Sequence, residues 1–133
     1  SVLALGGPPG AKGWPVTLTN PSNRKETLSH LQLQNRAISG SGVQKGRHII
    51  DPRTAQPVKD KRAAWCCAHT AAIADALSTA FMVMPPDEVK RYCLSHSDTL
   101  ATIVTEGDST QRREDRILRY GPWKEVFGDR ITG

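Results

Sequence analysis

A chain of 133 residues suits one domain with a modest core, and 38% hydrophobic with 23% charged content excludes a disordered chain. No apolar run approaches the roughly 20 residues of a membrane-spanning helix, and neither a signal peptide nor a lipid-attachment cysteine stands at the start. The net charge of +5 sits in the first part: residues 1–60 carry eight Lys/Arg against three Asp/Glu, whereas residues 61–133 carry ten of each. That asymmetry favours an anionic partner. With aromatics at 5%, the stacking platform of a nucleic-acid binder is missing, so a phosphate-bearing small molecule is expected and nucleic acid is not. Cys66, Cys67 and Cys93 lack the C-x-x-C spacing of a metal site and read as buried thiols, the first two on opposite faces of a strand.

Residues 2–6, in SVLALGG, read as a short buried strand cut from a longer polypeptide, with targeting sequences expected upstream, and PPGAKG follows as turn material. WPVTLTN (14–20) alternates like a strand, and Pro15 consigns it to an edge or a strand start. A polar loop, PSNRKE (21–26), leads into residues 27–39, where Leu28, Leu31, Leu33 and Ile38 mark a strand, a turn and a second strand. GSGVQKG (40–46) reads as a flexible connection, and RHII (47–50) as a short strand stopped by DPRTAQP. AAWCCAH (63–69) is apolar and bounded, which fits a buried strand.

From Thr70 the period changes. Ile73, Leu77, Ala80 and Met84 fall on one face and predict an amphipathic helix over 71–84, ended by Pro85-Pro86. Pro86, Asp87 and Glu88 open a second short helix over 86–95. The β-branched run TLATIVTEG (99–107) predicts a strand. In the charged tail, RILRY (116–120) fits a last strand or a helix. The sum is an α+β (α/β layered) domain, mostly antiparallel sheet, with a predominantly β first half.

Two constellations carry chemistry. On the predicted helix, Asp75 and Thr79 are i, i+4 neighbours facing away from the Leu77 stripe, flanked by small Ala72 and Ala76. A carboxylate and a hydroxyl one turn apart suit a hard cation such as Mg²⁺, although such pairs are also common on solvated helix faces. His48, Asp51, Arg53 and Thr54 crowd around Pro52. There His48 suits acid–base work and Arg53 a phosphate, although a polar turn accounts equally well for the stretch. ISGSG (38–42) offers backbone N–H groups to an anion, but without Walker A spacing, and a linker accounts for it as well.

Together, HIIDPRTAQP (48–57) and ADALSTA (74–80) closely resemble the H-I-I-D-P-R-T-G-x-P and A-D-A-L-S-T-A motifs of the FAD:protein FMN transferases, the ApbE family. LALGGPPGAKGWPVTLTNP and LQNRAISGSG resemble that family's Gly-Gly turn between strands and the segment before its Ser-Gly loop, so the likeness runs from residue 3 to about 105. It implies an enzyme that binds FAD as substrate and uses Mg²⁺ to transfer FMN to a Thr or Ser of an acceptor flavoprotein, releasing AMP. An alternative within the same family is a protein that binds FAD or hydrolyses it to FMN and AMP. Carried over, Asp75 and Thr79 match the metal positions and His48 the histidine implicated in transfer. Ser41, Gly42, His48, Asp51, Arg53 and Thr54 match the flavin-nucleotide site.

The resemblance further implies that residues 1–107 are the C-terminal portion of an ApbE-like domain and 108–133 its charged extension. An N-terminal half or a second chain is then expected to complete the cleft. The family's acceptors point to a periplasmic or membrane-anchored location on the outer face, whereas unpaired cysteines point toward the cytoplasm. Two positions depart from the pattern: Pro8 stands where an Asn is usual, and Ala55 replaces a Gly, which disfavours a left-handed turn there.

Overall fold

The computed structural model describes all residues except 45, 47, 108–109, 113–115 and 129–133. In chain order the elements are β1 (Val2–Ala4), β2 (Trp14–Asn20), β3 (Asn23–Leu33), β4 (Arg36–Gly42), β5 (Ile50–Asp51), β6 (Gln56–Pro57) and β7 (Lys61–Ala68). Then come helices α1 (Ala71–Val83) and α2 (Pro86–Ser95), strands β8 (Leu100–Thr105) and β9 (Ile117–Tyr120), and helix α3 (Trp123–Phe127). Strands β1-β4-β7-β8-β9, in that order, form one antiparallel sheet, while β2–β3 and β5–β6 are separate hairpins. The fold is α+β.

Period-two alternation along β7 splits the core in two. Ala64, Cys66 and Ala68 face α1 and α2 together with Ala37, Ala101 and Ile103, whereas Cys67 faces the other way, with Ile38, Leu100 and Val104. The two adjacent thiols thus belong to opposite layers, as their spacing predicts. Alanines at four sheet positions let α1 seat Phe81 and Met82, both fully buried. The second face is covered by Leu18, Leu28, Leu31 and Leu33 of the β2–β3 hairpin and by Trp123 of α3. Gly40 lies against the Trp65 ring, and a Cβ there would fall 2.7 Å from the indole.

Several expectations change. Residues 2–6 are not a buried strand: β1 is a short edge with only Ala4 buried, and Leu5 lies outside it. PSNRKE is not a loop throughout. Ser22 N–H donates to Asn20 Oδ1 at 2.9 Å, closing a tight turn, and β3 begins at Asn23. The Gly/Ser-rich stretch 40–42 is strand rather than flexible connection, because β7 pairs with it through Gly42↔Ala63. The strand expected over 47–50 is reduced to Ile50–Asp51, paired with Gln56–Pro57, and residue 47 lies outside the described residues. Much of the 108–133 tail is likewise undescribed, but RILRY supplies β9, and α3 follows it without a clear sequence signal.

Helix boundaries follow their caps. Thr70 Oγ1 accepts the Ile73 N–H at 3.2 Å, opening α1. At the far end the buried Lys61 ammonium donates to the Met82 and Met84 carbonyls, giving the last turn a cation. The stripe is another matter. The buried line is Ala74, Ser78, Phe81 and Met82, while Ile73 is 48% exposed. Asp75 and Thr79 therefore flank the buried line instead of lying opposite it.

Candidate functional site

Two repeats of nearly equal length meet between β4 and α1. Alternate strand residues recur about every 6.6 Å, and residues four apart on a helix about every 6 Å. Ser39 and Ser41, both facing the helices, therefore pair one to one with Asp75 and Thr79. Ser39 Oγ donates to Asp75 Oδ1 at 2.9 Å. Ser41 Oγ lies 2.9 Å from Thr79 Oγ1 and 2.9 Å from Ser78 Oγ, and Ser78 Oγ donates to the Asp75 carbonyl at 3.0 Å. Ser78 is fully buried, whereas Asp75 and Thr79 are exposed.

An open cleft of about 540 Å³ adjoins this seam, walled by Ser41, Gly42, His48, Ile50, Thr79 and Val83. The His48 ring is held by Nδ1, 3.0 Å from the Gly46 carbonyl. A carbonyl only accepts, so Nδ1 carries a proton and Nε2 is the ring nitrogen left for another group.

Asp51, Arg53 and Thr54 do not join that cleft. They line a second one, of about 460 Å³, on the other side of Val83. Their turn is self-contained: Asp51 Oδ1 accepts from Arg53 N–H at 2.9 Å and from Arg53 Nε at 3.2 Å, and the Asp51 carbonyl accepts from Ala55 N–H at 2.8 Å. Ala55 adopts φ +56°, the left-handed conformation its side chain disfavours. Arg53 also donates to the Val83 carbonyl at 2.9 Å and lies 3.9 Å from Glu88. Hydrogen bonds from Arg53 hold the Asp51 carboxyl below its ordinary range. As placed, Arg53 latches the turn to the end of α1.

Of the residues singled out in the sequence, Ser41, Gly42, His48 and Thr79 therefore share one cleft, Asp75 stands one helical turn from it, and Asp51, Arg53 and Thr54 stand in its neighbour. Sequence reasoning missed Ser39, Ser78 and Lys61. The first two carry a signal, alternation of Ser39 and Ser41 opposite an i, i+4 pair, which becomes visible once ISGSG is taken as strand. Burial pushes the Lys61 ammonium below the usual lysine range.

Asp75 and Thr79 offer hard oxygen donors, the chemistry Mg²⁺ takes from a protein when waters and substrate phosphates fill its remaining positions. Among the described residues no group of three His, Cys, Asp or Glu could hold a metal alone. Two side-chain oxygens leave the rest of an ion's coordination to waters or phosphate.

Comparison with known proteins gives a consistent picture. The model of the ApbE family matches residues 1–104. The FAD:protein FMN transferase of Klebsiella pneumoniae (strain 342) is 28% identical over 108 residues, 73% of this chain and 31% of its own length. That of Escherichia coli (strain K12) is 27% identical over 107 residues, 72% and 30%. Among solved structures, the ApbE protein of Thermotoga maritima MSB8 superposes with a TM-score of 0.72 at 25% identity, over 92% of this chain and 40% of its own. The flavin transferase ApbE of Vibrio cholerae, at 19% identity and a TM-score of 0.65, shares the fold over 86% of this chain and 38% of its own. The chain thus spans about three-tenths of the length of these curated relatives.

Proposed function

The chain belongs to the ApbE family, and on that premise we propose that it supplies the cation and proton-transfer side of a flavin transferase site. There FMN passes from FAD to a Thr or Ser hydroxyl of an acceptor flavoprotein, and AMP leaves. The observation that carries this reading is the convergence of Thr79 and His48 on one cleft, with Asp75 a turn away and both helix residues held by β4 serines.

Asp75 and Thr79 would hold Mg²⁺, which when bound neutralises charge developing on the pyrophosphate. His48 Nε2, freed by the Nδ1 bond to Gly46, accepts the proton of the attacking hydroxyl. Ile50 and Val83 give the cleft an apolar wall that limits water beside the reacting phosphorus. Arg53 and Thr54, one cleft away, would reach a different part of the dinucleotide. Because the chain spans a minor share of its relatives' length, the remaining part of a family-length protein, in the same chain or a second one, would complete the flavin pocket.

The test is release of AMP from FAD with Mg²⁺ and an acceptor protein, followed by chromatography and by flavin fluorescence of the acceptor. The chain is assayed alone and together with the complementary portion of the Escherichia coli relative. Flavinylation that disappears in Asp75→Ala is expected. Failure of the complemented chain to release AMP, under conditions where the intact relative does, overturns the reading.

A further inference from the structure

The hydroxyls at the seam form a chain with only one possible sense. Ser78 Oγ lies 3.0 Å from the Asp75 carbonyl, which can only accept, so the single Ser78 proton is committed there. Ser41 must then supply the proton of the 2.9 Å bond to Ser78. Its proton spent, Ser41 can only accept from Thr79, 2.9 Å away. A helix carbonyl thus dictates, through two serines, which way the Thr79 hydroxyl turns: its proton points into the seam, and its lone pairs are left for the cleft. One turn up, Ser39 donates to Asp75 Oδ1, and Oδ2 has no hydrogen bond among the described residues. Both helix groups present acceptors only.

We propose that Ser41 and Ser78 are positioning residues that orient Thr79 as an oxygen ligand for a hard divalent cation. The inference rests on the reading of Asp75 and Thr79 as the cation's ligands. It assigns Ser41 a role in the seam, beyond the flavin contact its motif implies, and gives Ser78, which touches neither the cleft nor its contents, an effect on both. The burial of a serine at the centre of a helix's packed face is accounted for in the same way: Ser78 passes the polarity of the Asp75 carbonyl outward.

Mn²⁺ binding to the 133-residue chain, read from the spin resonance of the free ion, tests this. In Ser78→Ala the Ser41 proton loses its acceptor and turns onto Thr79 Oγ1, opposing the ion, and affinity falls about three- to tenfold, the worth of one hydrogen bond. Adding Ser41→Ala removes the opposing donor, so the double variant binds more tightly than Ser78→Ala alone, a reversal that lost packing does not produce. Ser41→Thr keeps the hydroxyl and stays near the unaltered chain. Unchanged affinity in Ser78→Ala, or a double variant no better than the single one, overturns the relay while leaving the ligands standing. Thr79→Val separates the two ideas: if it binds Mn²⁺ as the unaltered chain does, or if the unaltered chain shows no saturable binding at millimolar Mn²⁺, the cation reading falls and takes the relay with it.

Discussion

The β4–α1 seam and the Asp51–Ala55 turn carry the two motifs of the family, and they are built in opposite ways. The seam joins residues 36 to 38 positions apart, and its geometry exists only when sheet and helix pack. The turn closes within five residues through the Asp51 carboxylate and carbonyl, and reaches the rest of the molecule at few points, among them Arg53 on Val83. A site part made by tertiary packing inherits the stability of the core. A part made by a local turn inherits the propensities of its own residues.

The largest test of this difference is Phe81→Ala. Removing that fully buried ring should cost about 3–5 kcal/mol in denaturant unfolding. Cation affinity should fall with it, whereas hydrogen exchange at the Ala55 N–H, which opens with its own local turn, should change little. Equal loss of protection at Ala55 and at Thr79 under native conditions would erase the distinction.

Alkaline pH probes the seam next. Burial pushes the Cys66 thiol, beneath α1, up to about 12 from 9.0, and Cys93 up to about 11. Above pH 9 the unfolded chain loses these protons while the folded chain keeps them, so stability falls as pH rises. The slope is up to about 1.4 kcal/mol per pH unit for each thiol. Urea midpoints measured from pH 8 to 10.5 should decline less steeply in Cys66→Ala; identical slopes would contradict the burial.

Ala55→Gly acts on the turn alone. It relieves a left-handed alanine at φ +56° and should stabilise the chain by about 1 kcal/mol, read as a higher urea midpoint. No gain would mean that the turn is held by its surroundings after all. The smallest effect is expected at acid pH. Arg53 keeps the Asp51 carboxyl below 3.8, so the stability it gives is present above that pH and fades as pH falls through the lower folded value. The contribution should be weakened by salt because both side chains meet solvent. An Asp51→Asn variant that retains the parent's acid profile in low salt would show the pair to be energetically silent.

The same contrast explains what was legible in the sequence. α1 and α2 are read nearly to their ends, because Thr70, Pro85 and Pro86 act locally. β8 is read from its β-branched run. The seam is misread twice. GSG has the composition of a linker, and only pairing with β7 makes it a strand. The helix stripe is assigned to Ile73 and Leu77 because apolar residues ordinarily face inward. The true buried line includes Ser78, whose hydroxyl donates to the Asp75 carbonyl on its own helix and is met on its other side by Ser41 from 37 positions away. Residue types alone do not show that a polar group will find a partner. The turn's chemistry, in contrast, is legible in DPRT, but its placement in a second cleft is not, since that depends on where the end of α1 falls.

Gly40 sits between the two serines of the seam with the Trp65 indole where a side chain would be. Its consequence is a limit on what the position can become. Even a single methyl group would have to move the indole or lift the strand, and lifting the strand would carry Ser39 and Ser41 away from α1. The spacing of the seam is thereby set from the far side of the sheet, by a tryptophan on the face opposite α1.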